Sequence, residues 1–171
     1  MKMPENAVQP EPVMASRAGN QYLTFILAGE EYGVDILKVQ EIRGWSAVTR
    51  IPNTPGYVQG VLNLRGTIVP IVDLRMKFNL DKADYTPTTV VIVLSIVTDQ
   101  TTRVVGVIVD GVSDVLNLLP DDIKPPPELS GVFDIDSIEG LATTGTRMVI
   151  LLDTDSLLGT DILPAADNIS H

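Results

Sequence analysis

The fold is decided by the stretch from Gly60 to Leu74, which has the sequence Gly-Val-Leu-Asn-Leu-Arg-Gly-Thr-Ile-Val-Pro-Ile-Val-Asp-Leu. Its two arms are rich in β-branched and aliphatic residues, a composition that favours strands. Arg65 and Gly66 separate the arms, and glycine readily adopts the positive φ that a tight hairpin turn requires. The stretch therefore predicts a β-hairpin whose tip carries a long cationic side chain, with the amide of Asn63 two residues before it.

The composition is typical of a globular protein and argues against several classes of partner. Of the 171 residues, 44% are hydrophobic and 20% are charged, and the chain has no cysteine, so disulfide and thiolate chemistry are excluded. The formal net charge of −10 argues against nucleic acid, because affinity for phosphates depends on clustered Lys and Arg. An anionic membrane surface would repel the same charge. We expect a protein, a small ligand or a cation as the partner.

The sequence predicts one main domain between two tails. Residues 1–19 contain prolines among small and polar residues without an apolar period, which predicts a mobile N-terminal tail and no secretory signal. The domain is expected over residues 20–160, with a lobe boundary near the polar segment 79–88 and a C-terminal tail over 161–171. The longest apolar run is far shorter than the about 20 residues that span a bilayer. We therefore expect a cytoplasmic protein without direct membrane insertion.

Most of the domain predicts β-structure. Residues 37–43 fit a short helix nearly as well as a strand, and we favour the strand. Residues 88–96 and 103–109 are almost continuously hydrophobic, which indicates that both of their faces are covered. Each sheet would then face its own interior on one side and a second lobe on the other. The remaining strands are expected at 21–28, 32–36, 61–64, 67–72, 138–143 and 148–153.

Two local patterns predict short helices. Thr54 followed by Pro55, with Gly60 at the far end, is typical of one short helix. Asp73 follows a strand, and its carboxylate is expected to accept hydrogen bonds from the free amide groups of a helical turn rather than to act in catalysis. Residues 148–154 repeat the pattern of 68–74, an apolar strand ending in Asp, which weakly favours two related lobes.

Little in the sequence indicates catalysis or a metal site. The single histidine, His171, is the last residue and is poorly placed for a general base. The acidic groups Asp134/Asp136/Glu139 and Asp153/Asp155 suggest calcium, but Leu158 and Pro164 stand where the calcium loop requires Gly and Glu. Asp110 and Asp114, on either side of Gly111, are expected at a solvated strand edge or a bend. A β-barrel enzyme that uses pairs of Asp residues remains the alternative. We predict no enzyme, no cofactor and no metal.

The central hairpin belongs to a longer set of motifs that resembles the CheW family, whose members are adaptors coupling chemoreceptors to the histidine kinase CheA. Residues 51–60 (IPNTPGYVQG), 61–66 and 68–75 (IVPIVDLR) resemble its signature. The segments 31–36 (EYGVDI) and 39–43 (VQEIR) resemble an upstream motif, and 109–115 (VDGVSDV) is similar to a third. Together these motifs cover roughly residues 20–158 in the expected order. The segment 129–137 matches no family pattern.

The resemblance implies an all-β fold, mainly β with a few short helices, in which two small SH3-like five-stranded β-barrel lobes pack on each other around a groove. It implies a non-catalytic adaptor of bacterial chemotaxis that binds the cytoplasmic tip of chemoreceptors and the CheA regulatory domain, and that reaches membrane receptor arrays through these partners. A CheW-like module of a larger chain, such as CheA, is the alternative of the same fold. When the receptor-binding positions of the family are matched to this sequence, the resemblance implies that the receptor-binding residues are Val39, Glu41, Gly60, Asn63, Arg65, Val90, Gly106 and Val115.

The resemblance implies that the helical tip of the receptor docks in the groove between the lobes, and an amphipathic helix in a groove needs an apolar floor and a few charges at its rim. The valines at 39, 90 and 115 could supply the floor, and Glu41 and Arg65 the rim. The valines could equally be core residues, and the two glycines could be needed for backbone geometry. Arg65 is the strongest candidate, and no motif indicates which residues contact CheA.

Overall fold

The computed structural model describes residues 20–80, 84–98, 101–126 and 137–159, and over these residues the chain is mainly β-structure. The expected tails lie outside the described residues. The short helices are α1 (Leu74–Lys77) and α2 (Thr154–Leu158), and 3-10 turns span Ile36–Lys38 and Pro120–Asp122. The strands are β1 (Asn20–Leu27), β2 (Glu30–Asp35), β3 (Val39–Gly44), β4 (Val58–Leu64), β5 (Thr67–Asp73), β6 (Val90–Thr98), β7 (Thr101–Val109), β8 (Gly111–Leu118), β9 (Ile123–Lys124), β10 (Ile138–Thr144) and β11 (Arg147–Leu152).

The strands form two sheets, and each sheet builds one lobe. The first lobe is a five-stranded sheet in the order β3-β6-β7-β5-β4, and the second is a six-stranded sheet in the order β8-β1-β2-β11-β10-β9. The expected all-β fold with two packed lobes is confirmed. The implied count of five strands holds only for the first lobe, because the two-residue strand β9 adds to the edge of the second sheet by pairing with β10.

The first lobe is inserted into the second along the chain, because its strands β3 to β7 are consecutive and lie between β2 and β8. Strands β1 and β2 pair with β8 and β11 in the second lobe, whereas β6 and β7 pair with β3 and β5 in the first. The expected lobe boundary near residues 79–88 is therefore wrong, because that segment joins α1 to β6 within the first lobe. The chain passes between the lobes at the turn Ile36–Lys38 and at Asp110. Polar composition marks a loop but does not indicate which sheet the next strand joins.

Strand β6 is covered on both faces, as its continuous hydrophobicity predicts. Val91 and Val93 belong to an apolar cluster inside the first lobe. Ile92 and Leu94 belong to a cluster that also contains Phe25 of β1, so this cluster lies between the lobes. Burial of each such side chain contributes about 1.5–3 kcal/mol, and apolar packing is therefore the main force that joins the lobes. A third cluster fills the second lobe and consists of Tyr22, Leu118, Ala142, Val149 and Leu151.

The central hairpin forms as predicted, with Leu64 of β4 opposite Thr67 of β5. Arg65 and Gly66 have φ angles of 53° and 90°, so both turn residues adopt the positive φ of the tight turns that match strand twist. The Asn63 Oδ1 atom accepts a hydrogen bond from the Gly66 amide at 2.8 Å. This bond holds the turn and gives Asn63 a structural role.

Two other local predictions are corrected by the structure. The short helix predicted from Thr54 is wrong, because residues 52–57 form turns and Val58 already begins β4. The Thr54 hydroxyl donates to the Ile51 carbonyl at 3.0 Å instead of capping a helix. Strand β8 was not predicted as an element beyond the strand edge considered for Asp110 and Asp114. It is an edge strand that pairs with β1, and its four consecutive residues 112–115 are exposed. The preferred strand within 37–43 is confirmed from Val39 onwards, after one 3-10 turn.

The two lobes share a hairpin followed by an Asp-capped helix. Asp73 accepts a hydrogen bond from the Arg75 amide at the start of α1, which confirms the predicted capping role. Asp153 accepts one from the Ser156 amide at the start of α2. The predicted similarity of residues 68–74 and 148–154 is thus a similarity of structure. Within the described ranges, no helix has the length and hydrophobicity needed to cross a bilayer.

Candidate functional site

The strongest candidate, Arg65, forms an ion pair with Glu41 of β3 at one end of the first lobe. The arginine side chain is 75% exposed and the glutamate side chain 25%. A second cation, Arg43, places its Nη1 atom 3.7 Å from the other Glu41 oxygen. Arg65 and Glu41 were both expected at the rim of a groove, but nothing in the sequence predicts that they bind each other. The pair fastens the hairpin tip to the edge strand β3 and leaves much of the guanidinium facing solvent.

A cavity of about 240 Å³ lies beneath this ion pair. Its lining combines polar and charged side chains with apolar ones, and Leu64, Val69 and Val93 among these belong to the first-lobe apolar cluster. The valines predicted for the floor, at positions 39, 90 and 115, do not line this cavity. Its apolar lining residues are Leu64, Val69, Val93 and Val104, which were not predicted as site residues. Alternation along the hairpin would have indicated Leu64 and Val69 as inward-facing neighbours of the turn. The lining residues are Gln40, Glu41, Leu64, Arg65, Thr67, Val69, Val93 and Val104.

The three valines expected to form a common floor do not lie together. Val39 and Val90 are partly buried and pack against the apolar cluster between the lobes, as expected for core residues. Val115 lies on β8 in the other sheet, opposite Leu23, and is 45% exposed. Of the three, Val115 therefore offers the most surface to a partner.

Both candidate glycines are buried and are required by close packing. A Cβ atom at Gly60, whose φ is +152°, would lie 2.2 Å from the Thr49 carbonyl oxygen, where β4 bridges to the segment after β3. At Gly106 a Cβ atom would lie 2.7 Å from Ile71 Cδ1 and 2.9 Å from Val91 Cγ1. The structure therefore supports the backbone-geometry alternative for Gly60 and Gly106.

The second lobe carries an ion pair that sequence analysis missed, between Arg147 of β11 and Glu31 of β2. The Arg147 Nε atom donates to Glu31 Oε1 at 3.0 Å. Hydrogen bonding from Arg147 is the largest influence on the Glu31 carboxyl and lowers its pKa below 4.5. Each lobe thus has an arginine at its hairpin paired with a glutamate on another strand of the same lobe.

The acidic residues weighed for calcium have other roles where the structure describes them. Asp153 caps α2, and Asp155 accepts hydrogen bonds from Lys38 Nζ and from the Val97 amide, both at 2.9 Å. In the part of the chain that the structure describes, no three Asp, Glu, His or Cys side chains converge on a possible metal position. Asp134, Asp136 and His171 lie outside that part, and the absence of a metal stays a prediction.

Comparison with known proteins gives a consistent result. Residues 21–161 match the family model described as CheW-like domain. The chain is 50% identical over 152 residues to Chemotaxis protein CheW of Klebsiella aerogenes, covering 89% of each protein. It is 36% identical over 151 residues to Chemotaxis protein CheW of Rhizobium meliloti, covering 88% of this chain and 95% of the relative. The crystal structure of scaffolding protein TtCheW from Thermoanaerobacter tengcongensis is 32% identical, with a TM-score of 0.75, over 85% of this chain and 98% of that one.

Proposed function

The chain belongs to the CheW-like family, as its motifs predict, and from that membership we propose that it is a non-catalytic adaptor that couples chemoreceptors to the histidine kinase CheA. Relatives that are 50% and 36% identical over most of the chain carry the name of chemotaxis proteins, and the similar solved structure is described as a scaffolding protein. The proposed partners are the cytoplasmic tip of the receptors and the CheA regulatory domain, and binding to them would bring the protein to receptor arrays.

The observation that carries the proposal is the Arg65–Glu41 pair, with its exposed arginine, beside a cavity that core residues of the first lobe line in part. An amphipathic helix binds a groove through apolar anchors and uses charges to set its register. The cavity would accept an apolar side chain of the receptor helix, and the free face of Arg65 would bind a carboxylate or a helix C-terminal carbonyl. This surface lies within the first lobe, at its end.

The eight carried-over residues have unequal parts in this proposal. Glu41 and Arg65 would contact a receptor at this first-lobe surface, and Val115 would offer a separate exposed contact on the second lobe. Asn63 would act by holding the turn that presents Arg65. Val39 and Val90 would act through the packing between the lobes, and the glycines at 60 and 106 through the backbone that they shape. No residues are assigned to the CheA contact.

A kinase reconstitution tests the proposed function. Receptor signalling fragments and CheA are combined with and without this protein, and phosphorylation of CheA is followed with labelled ATP. We expect strong activation only when all three components are present, and no turnover of substrate by this protein alone. Activation that persists without the receptor, or without this protein, would contradict the adaptor function.

A further inference from the structure

Arg75 is a charged side chain that is completely buried. It lies in α1, and its guanidinium Nε and Nη2 atoms donate to the two carboxylate oxygens of Asp73, each at 3.0 Å. Its Nη1 atom donates to Asp110 Oδ1 at 2.9 Å. The side chains of Arg75 and Asp73 have no exposed surface. A buried guanidinium is stabilised when its donors are satisfied, and both carboxylates contribute to that here.

The second carboxylate belongs to the residue at which the chain passes from one lobe to the other. Asp110 lies alone between β7 of the first lobe and β8 of the second. Its Oδ2 atom accepts from the Ala28 amide at 2.8 Å, and its own amide donates to the Ile26 carbonyl at 3.0 Å. One carboxylate therefore joins the first-lobe Arg75 to the end of β1 in the second lobe. Asp110 does lie in a bend, as one of the two expected alternatives has it, but its side chain is only 24% exposed and is bound on both sides rather than solvated.

We infer that Arg75, Asp73 and Asp110 form a latch that fixes the position of the second lobe on the first. Movement of the second lobe would withdraw Asp110 and break its hydrogen bond with the buried guanidinium. The chain also crosses between the lobes at the turn Ile36–Lys38. There Lys38 forms an ion pair with Asp155 of α2, and the two side chains are 28% and 32% exposed. Salt and water weaken a partly exposed pair much more than a buried one. The ion pair of Arg75 with Asp110 is therefore the stronger of these two ion pairs.

The test measures the distance between the lobes in the full-length chain. Because the chain has no cysteine, Ile68→Cys and Met148→Cys introduce two unique sites, one on each lobe, at side chains that are 57% and 58% exposed. Spin labels at these sites report the distribution of inter-lobe distances by double electron–electron resonance. We expect Asp110→Asn to broaden or shift this distribution. Asp121→Asn removes the same charge from an exposed turn of the second lobe and should leave the distribution unchanged.

An unchanged distribution in Asp110→Asn would overturn the latch, and so would equal changes in the two variants. Should Asp110→Asn yield no folded protein, Arg75→Lys serves on the same readout, because an ammonium keeps the charge but cannot span both carboxylates as a planar guanidinium does. That variant should also broaden the distribution, and an unchanged one would again overturn the latch. The measurement needs no receptor, so its failure is distinct from a failure of the proposed function.

Discussion

Exchanging the charges of Arg65 and Glu41 separates two roles that Arg65 can have, a receptor contact and a fastening of the hairpin. In Arg65→Glu two carboxylates face each other, so both the ion pair and any contact with a receptor carboxylate are lost. In the double variant Arg65→Glu/Glu41→Arg the ion pair is restored with its direction reversed. The guanidinium then projects from β3 rather than from the hairpin tip.

The two roles predict effects of different size. The pair is exposed, so its loss costs about 0.2–1 kcal/mol of folding free energy, and a domain of this length loses only ~2–4 °C in Tm per kcal/mol. A charge-assisted hydrogen bond to a receptor group is worth about 1.5–3 kcal/mol, which corresponds to roughly a 10- to 150-fold change in Kd. Arg65→Glu should therefore lower receptor affinity strongly and thermal stability only slightly.

The assay is isothermal titration calorimetry with a receptor-tip fragment and, separately, with the CheA regulatory domain, accompanied by a circular dichroism melt on the same preparation. Arg50→Glu is the matched control, since Arg50 is another exposed arginine of the first half of the chain. We expect the control to bind normally and CheA affinity to stay within about twofold in all variants.

The decisive result is the behaviour of the charge-exchanged double variant. We expect it to recover the Tm but not the receptor affinity, because its cation no longer lies at the hairpin tip. Recovery of both would refute the proposed contact and show that Arg65 serves only to fasten the hairpin to β3. Equal losses of affinity for receptor and CheA in Arg65→Glu would also refute it.

Further predictions concern packing, titration and metal ions. Gly106→Ala forces a methyl group against two core side chains and should cost about 1–3 kcal/mol in urea unfolding, whereas Gly44→Ala, with nothing within 4 Å, should be near neutral. The hydrogen bond from Arg147 is the main cause of the lowered pKa of Glu31. The Glu31 carboxylate therefore stabilises the fold above pH 4.5, and this stabilisation is lost as the pH falls through the lowered pKa. Glu31→Gln should flatten the dependence of the unfolding free energy on pH in that acidic range. Burial raises the pKa of Tyr22 to about 12, and Tyr22→Phe should remove an absorbance step near that pH. Addition of EDTA should leave the Tm unchanged, and a drop would reveal a bound metal.

Local features of the fold followed from the sequence because short-range chemistry determines them. The Arg65-Gly66 turn needs positive φ, and the cap at Asp73 needs a carboxylate before a helical turn, so both could be recognised from neighbouring residues. The assignment of β1 and β2 to the second lobe depends on pairing with β8 and β11, far along the chain. Hydrophobic patterns predict that a strand exists but not which strand it joins.

The resemblance named the main residues of the candidate site, but the sequence did not predict which of them contact one another. Arg65 and Glu41 were both named from the resemblance, yet their mutual ion pair joins positions 24 residues apart that no local pattern connects. The bend or strand edge expected at Asp110 follows from an Asp beside a Gly, which is common at exposed turns, but the sequence gives no sign that the side chain is partly buried. Its burial results from the docking of two lobes, which is a property of the assembled fold.

The first lobe is one continuous piece of chain, residues 39–109, whereas the second lobe is built from strands on both sides of it. A fragment cut within residues 79–88 would carry β1 and β2 without the strands that flank them, and the remaining fragment would carry β6 and β7 without theirs. Each piece would expose unpaired strand edges, which promote aggregation. Deletion mapping of binding sites would then measure misfolded material. The two complementary pieces would have to be produced together, so that each supplies the hairpin that the other lacks.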